Sequence, residues 1–302
     1  MKAFRLAALI AVPATLVLSA CAGGSSGIIG GGGGVPGQQA NVRFVNGEPG
    51  TPTTSYDIYF QSNGSAAPST PLISGLIYAE ASDFKPLPTV AGSVIVHTAG
   101  SSSPASGAPA LTSCPVPQFA NNTNYSIVIA TANGTLNCIV FNDANYTAAN
   151  QFRFHDASPN ATAAITTPTI AYGTATAPGA TGETFAVLST ATLGIPAVGN
   201  GGATTYPVVM PTVLGSTNSV SFAIGPNSGA TSSASNTLDA SALMLPGSQN
   251  QPNTGNNNFT LPAGGSYAGA SIYAIDCGSG TLPPGSHCVT GNYTLIGVFD
   301  SH

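Results

Sequence analysis

An all-β fold, organised as two β-sandwiches in tandem, is what the sequence predicts, and three observations carry the prediction. Apolar residues come in short β-branched and aromatic runs broken by clusters of Gly, Pro, Asn and Ser. No stretch of ten residues places apolar positions at i, i+3, i+4 and i+7, the pattern of an amphipathic helix. A segment beginning at Asn41 returns at Gln151 with apolar, Arg, Phe and Pro in the same order, so the unit is repeated. The β-branched and aromatic runs also separate this chain from a disordered one of similar Gly, Ser and Pro content.

Taken in order, the chain opens with a leader, residues 1–20. Lys2 and Arg5 make a positive start, and Leu6–Leu18 is apolar apart from Pro13 and Thr15. That run is too short to span a membrane, which takes about 20 apolar residues. Leu18-Ser19-Ala20-Cys21 resembles a bacterial lipobox. The resemblance implies that residues 1–20 are removed and that Cys21 is lipidated, as a palmitate-bearing anchor. Several acyl chains, at about 0.8 kcal/mol per buried CH2, hold a protein stably at a membrane. In bacterial lipoproteins an Asp after the cysteine favours the inner membrane. Here Ala22 follows, which points to the outer membrane of a bacterial cell envelope, on its periplasmic or surface face.

Residues 21–40 carry the lipidated cysteine and a flexible Gly/Ser tether that includes five consecutive glycines, Gly30–Gly34. A Gly-rich coil of this length spans about 24 Å r.m.s. and at most about 65 Å. Gly23-Gly24-Ser25-Ser26-Gly27 matches the G-x-S-x-G elbow in letters only, because no strand precedes it and no helix follows.

The first sandwich is expected over 41–148. Val42–Asn46, Tyr56–Phe60, Leu72–Ser74, Ser93–Thr98, Tyr125–Ala130 and Leu136–Phe141 have strand length, and Asn133-Gly134 reads as a hairpin turn. The second, over 149–302 with a long insertion, offers Phe152–His155, Thr184–Leu188, Tyr206–Val209, Ser219–Ile224, Ser271–Ile275 and Tyr293–Phe299. About seven short strands in about 100 residues suit a sandwich. Asn124–Ile129 is echoed by Asn292–Gly297 at an offset of 168, so about 58 surplus residues belong between 175 and 264, and Pro246–Asn258 reads as an exposed loop.

Val42-Arg43-Phe44-Val45-Asn46 with Glu48-Pro49, then Tyr56-Asp57-Ile58-Tyr59-Phe60, Leu76-Ile77-Tyr78 and Tyr125-Ser126-Ile127-Val128, resemble the family known as domain of unknown function 4397. Arg153-Phe154-His155-Asp156-Ala157-Ser158-Pro159 resembles the family's opening segment more closely still. The resemblance covers most of 41–141 and the two ends of 150–302, where the aspartate-bearing second strand is not recognisable. It implies an immunoglobulin-like sandwich in a secreted or surface protein and brings no catalytic residues with it.

Beyond Cys21, two cysteines fall in each half. Cys114–Cys138 and Cys277–Cys288 form the simplest of three connectivities in an oxidising compartment. His287 beside Cys288 lacks paired ligand spacing, and Asp143, Asp156 and Asp276 lack calcium-loop spacing, so neither a metal nor another cofactor is expected.

With the leader removed, Lys85, Arg43 and Arg153 stand against ten acidic residues, a net charge of −7. Nucleic acid and electrostatic adhesion to anionic lipid need clustered cations and are disfavoured. Arg43 and Arg153 are either recognition groups for a carboxylate or phosphate, or strand arginines paired with Asp57 or Asp156. Tyr56, Tyr59, Tyr78 and Phe84 are either a sugar-stacking face or core. Of the histidines, His97 sits in a strand, His155 ends one, and His302 is terminal; none shows a ligand pair. The resulting expectation is a lipid-anchored envelope protein, not an enzyme, with a structural, adhesion or protein-interaction role and an envelope protein or glycan as partner. A carbohydrate or small-molecule binding lipoprotein is the alternative, and a hydrolase comes third.

Overall fold

The computed structural model describes residues 37–49, 54–132, 134–143, 151–158, 168–176, 184–192, 210–211, 220–226, 237–239, 243–247, 267–278, 282 and 293–301. The leader, Cys21, the tether to residue 36, Tyr206–Val209, His287, Cys288 and His302 lie outside the described residues.

In the first half the strands are β1 Gln39–Asn46, β2 Ser55–Ser62, β3 Ile73–Ile77, β4 Lys85–Pro88, β5 Gly92–Thr98, β6 Thr112–Val116, β7 Asn124–Ala132 and β8 Thr135–Asp143. In the second they are β9 Gln151–Asp156, β10 Pro168–Thr176, β11 Thr184–Thr192, β12 Met210–Pro211, β13 Val220–Pro226, β14 Thr237–Asp239, β15 Tyr267–Asp276 and β16 Tyr293–Ser301. The described residues contain no α-helix. β4, β6, β10, β12 and β14 have no counterpart in the sequence reading. Two of them, β4 and β6, contain Pro86, Pro88 and Pro115, and proline demotes a segment unless it lies at a sheet edge.

The halves share one topology. The first forms sheets ordered β4-β1-β7-β8 and β3-β2-β5-β6; the second forms β12-β9-β15-β16 and β11-β10-β13-β14. Each strand has its counterpart. In both, the first strand pairs in parallel with the penultimate one, Arg43 opposite Ser126 and Arg153 opposite Ser271. In both, the penultimate strand pairs with the last, Asn124 opposite Asp143 and Gly269 opposite Asp300. The second strand that the resemblance left unrecognised is therefore β10, Pro-Thr-Ile-Ala-Tyr-Gly-Thr-Ala-Thr, which has no aspartate.

These pairings correct the offset of 168. β15 stands where β7 does, 145 residues on from Ser126 to Ser271, and β16 stands where β8 does, 157 on from Asp143 to Asp300. With β9 at an offset of 110 from β1, 35 of the extra residues precede β15 and 12 follow it, in place of about 58 in one block. Both β7 and β16 are buried on both faces, so their apolar letters look alike whatever their partners. Gly134 turns between β7 and β8 at φ +74°, as the Asn-Gly signal anticipates. Of the anticipated Pro246–Asn258 loop, Gly247 is exposed and residues 248–258 lie outside the described residues.

Strand alternation sends successive side chains to opposite faces. In β1, Val42 and Phe44 enter a core shared with Ile58 and Phe60 of β2, Val94 and Val96 of β5, and Ile127 and Ile129 of β7. Arg43 and Val45 point the other way, toward the second half. The central strands β1 and β7 of sheet β4-β1-β7-β8 are thus buried on both faces. A second core joins Val45, Val128, Ala130, Ile139 and Phe141 of the first half to Tyr273, Ile275, Ile296 and Val298 of the second. All of the described residues belong to one compact unit, Gly31–His302.

Cys114 on β6 and Cys138 on β8 form a disulfide with Cα atoms 5.8 Å apart, tying the two sheets of the first half together. Cys277 is disulfide-bonded as well; its expected partner, Cys288, is among the residues not described.

Candidate functional site

The motif that repeats at an offset of 110 ends each first strand with the same turn. Asn46 Oδ1 accepts from the Glu48 amide at 3.0 Å, and Asp156 Oδ1 accepts from the Ser158 amide at 3.1 Å. Asn and Asp close such turns because their side chains reach the backbone two residues on.

Among the described residues most charged side chains lie inside. Arg43 and Arg153 are 0% exposed, and Asp57, Asp143, Asp156, Asp276 and Asp300 are all buried. Lys85 is half-buried, and Asp83 is exposed. Charged side chains are almost never fully buried unless paired, and here the pairing crosses between the halves.

Arg43 Nη1 donates to Asp300 Oδ1, Nη2 to the Phe299 carbonyl at 3.1 Å, and Nε to the Ser82 carbonyl at 3.0 Å. Its guanidinium lies 4.3 Å from the centre of the Phe84 ring. Arg153 Nη2 donates to Asp300 Oδ2, and its Nη1 lies 3.4 Å from Asp143 Oδ2. Ser126 Oγ donates to Asp143 and Ser271 Oγ to Asp300, both at 2.7 Å. Two guanidinium groups and two carboxylates make a neutral set. It is also reciprocal: the arginine of each half reaches the aspartate of the other, as in a twofold interface.

Two residues break the symmetry. Where the first half has Val45 and Val128, the second has His155 and Tyr273, two positions past Arg153 and Ser271. His155 Nε2 donates to Asp143 Oδ1 at 2.8 Å, its ring stacks on Tyr273 at 4.6 Å, and the Tyr273 hydroxyl lies 2.7 Å from Ser126 Oγ. His155 Nδ1 has no hydrogen-bond partner.

The electrostatics favour the ionised set. Burial is the largest influence on Asp143 and would raise its pKa, but Arg153, His155 and Ser126 together hold it below the ordinary aspartate value. Burial is the largest influence on Arg43 and alone would lower its pKa, but Asp300 and Tyr273 together more than reverse it, so the guanidinium stays charged. Tyr273 is raised by burial and remains a neutral phenol.

Arg43 and Arg153 therefore pair with acids, but not with Asp57 or Asp156. Alternation turns Arg43 away from the sheet that holds Asp57, whose carboxylate instead accepts from the amides of Gly75 and Gly100, both at 2.9 Å. Ser158 Oγ donates to Asp276, and Tyr78 donates to the Asp276 carbonyl at 2.7 Å, a second polar contact between the halves. Tyr56, Tyr59 and Tyr78 are buried and Phe84 lies against Arg43, so these rings do not form an open stacking face. His97 packs edge-on against Tyr59. Among the described residues no group of three His, Cys, Asp or Glu side chains is placed to hold a metal.

Sequence reasoning singled out both arginines and missed Asp143 and Asp300 as their partners, because each sits at the far end of a different strand. The signal available was positional: both aspartates close the last strand of their half. Compared with models of known protein families and with curated proteins, the chain matches none.

Proposed function

We propose that this chain is a lipid-anchored cell-envelope protein whose two immunoglobulin-like sandwiches act without catalysis, as a structural, adhesive or protein-interaction module. The observation that supports this reading most is the fate of the reactive side chains. The arginines, His155, Tyr273 and the serines beside them are sealed between the halves, bonded to one another and to Asp143 and Asp300. A nucleophile or general base must reach a substrate, and none of these groups faces solvent. Among the described residues the exposed positions carry one charged side chain, Asp83, and are otherwise rich in Ser, Thr, Asn and Gly, the composition of adaptable polar contacts.

The lipobox at Leu18–Cys21 supports the anchor, and the resemblance to the domain of unknown function 4397 supports the immunoglobulin-like reading. A glycan stacked on Tyr56, Tyr59 or Tyr78 would have to displace core, so the carbohydrate-binding alternative has no support at those rings.

Metabolic labelling with an alkyne analogue of palmitate tests the proposal. The wild type should take up label, lose residues 1–20 by mass spectrometry and fractionate with the outer membrane, whereas Cys21→Ser should do none of these. Recovery of a chain that keeps Met1, or of an unmodified thiol at Cys21, would refute the anchor. Protease treatment of intact cells then reports which face the modules occupy.

A further inference from the structure

β8 and β16 hold equivalent places, each the last strand of the sheet that carries the buried charges, yet their outer edges are treated differently. Along β16 the Met244 amide donates to the Gly297 carbonyl and the Met244 carbonyl accepts from the Phe299 amide, both at 2.9 Å, in a parallel bridge centred on Val298. Leu243 and Met244 are buried there, so a short extended segment closes that edge.

The corresponding groups on β8, 157 residues earlier, are the Val140 carbonyl and the Asn142 amide. The Leu136 carbonyl faces outward, since it accepts from Thr112 Oγ1 at 2.9 Å. Alternation then sends the backbone groups of Cys138, Val140 and Asn142 to the same side. Among the described residues nothing bonds to the Val140 carbonyl or the Asn142 amide on that side.

Two further observations concern the same edge. A groove of about 150 Å3 lies between β6 and the first half of β8, short of Val140, lined by Thr112, Cys114, Pro115, Leu136, Asn137 and Cys138. Edge strands are commonly protected by Pro or Lys; β4 has Lys85, Pro86 and Pro88 and β6 has Pro115, whereas the nine residues of β8 include neither.

We propose that the outer edge of β8 receives an extended segment of a partner polypeptide, added as a strand parallel to β8, uncharged, with an apolar residue opposite Phe141 as Met244 stands opposite Val298. The Leu243–Met244 segment of the second half shows the chemistry that fits such an edge. Residues 135–142 of β8 offer no counter-charge to a basic or acidic segment. This names an interaction surface for the module proposed above. A failed titration would leave the anchor standing, since acyl labelling tests that separately.

The test uses the mature lipidated protein in nanodiscs and, as probe, a dye-labelled peptide with the sequence of residues 241–247, Ser-Ala-Leu-Met-Leu-Pro-Gly. Saturable binding is expected with a Kd of about 100 μM, as suits two backbone hydrogen bonds and one apolar anchor. A scrambled peptide should not bind. Amide exchange in the wild-type protein should show the Asn142 amide fast when free and slowed at least about 10-fold by saturating peptide, which requires no variant to fold. Asn142→Pro removes the outward amide without breaking a bond to β7 and should weaken binding at least about 10-fold. Absence of saturable binding, unchanged affinity in Asn142→Pro, or an Asn142 amide already slow in the free protein would each overturn the proposal. So would a concentration-dependent dimer that buries β8, which would assign the edge to a second copy.

Discussion

Replacing Asp300 by Asn tests whether the buried charges hold the two halves together. Asp300 is 1% exposed and accepts from Arg43, Arg153 and Ser271. The substitution keeps the shape but turns a neutral set of four charges into one with a net positive charge. An amide can accept from only one of the two guanidinium groups while presenting its own NH2 to the other. Removing one partner of a buried pair costs about 3–5 kcal/mol, chiefly because the remaining charge stays uncompensated out of water. For a chain of this size, with a urea m value of roughly 3 kcal/mol/M, the unfolding midpoint should fall by about 1–1.7 M. The chain has no Trp and ten Tyr, so tyrosine fluorescence and circular dichroism are the probes. Adding Arg43→Met restores neutrality, with Arg153 facing Asp143. The double variant should therefore be more stable than additivity predicts by at least about 1 kcal/mol. A loss below about 1 kcal/mol for Asp300→Asn, or strict additivity in the double variant, would refute a coupled interior charge set.

The remaining predictions concern pH, the disulfide and packing. Because the folded pKa of Asp143 is depressed, its contribution is fully present above the unfolded value of about 3.9 and is lost as pH falls through the folded value. Urea midpoints should therefore be flat from pH 7 to about 5 and drop below about 4, and the drop should shrink in Asp143→Asn. Replacing Cys114 and Cys138 by Ser opens a loop with a sequence separation of 24 and should cost about 3.5 kcal/mol by loop entropy, read as a lower thermal midpoint. Gly92→Ala would place a Cβ 2.4 Å from the Gln61 carbonyl and 2.8 Å from the Phe60 ring, and should destabilise by about 3 kcal/mol. Gly47→Ala, whose Cβ would lie 3.0 and 3.1 Å from the Ile275 and Val128 methyls and 3.3 Å from the Ile129 carbonyl, meets no atom under 3.0 Å and should cost less.

The strands were legible where alternation and turn residues coincide, as in β2, β5, β7 and β8, and the Cys114–Cys138 bond followed from two cysteines per half. Edge strands were hidden by their own prolines, and β10 by a run of Thr, Ala and Gly whose letters do not alternate. The buried charge set was half legible. Arg43 and Arg153 stand out by repetition in a cation-poor chain, but a local acid is the nearest partner in sequence, and strand alternation decides against it. Which face of β1 the arginine takes depends on Phe44 filling the core with Ile58 and Ile127. That long-range fact no window of sequence contains.

The symmetry of the contact explains why so few charges suffice. In a reciprocal interface one complementary pair is used twice, so the single combination of a first-strand Arg, a penultimate-strand Ser and a last-strand Asp supplies both ends of the lock. Left fully symmetric, such a contact would fit either half equally well and would equally fit a second molecule. His155 and Tyr273 remove that degeneracy. They bond to Asp143 and Ser126 of the first half, whereas Val45 and Val128 offer Asp300 and Ser271 nothing in return. Asp143 consequently relies on His155 and Ser126 as much as on an arginine, while Asp300 takes both guanidinium groups. The four buried charges are therefore committed within one chain.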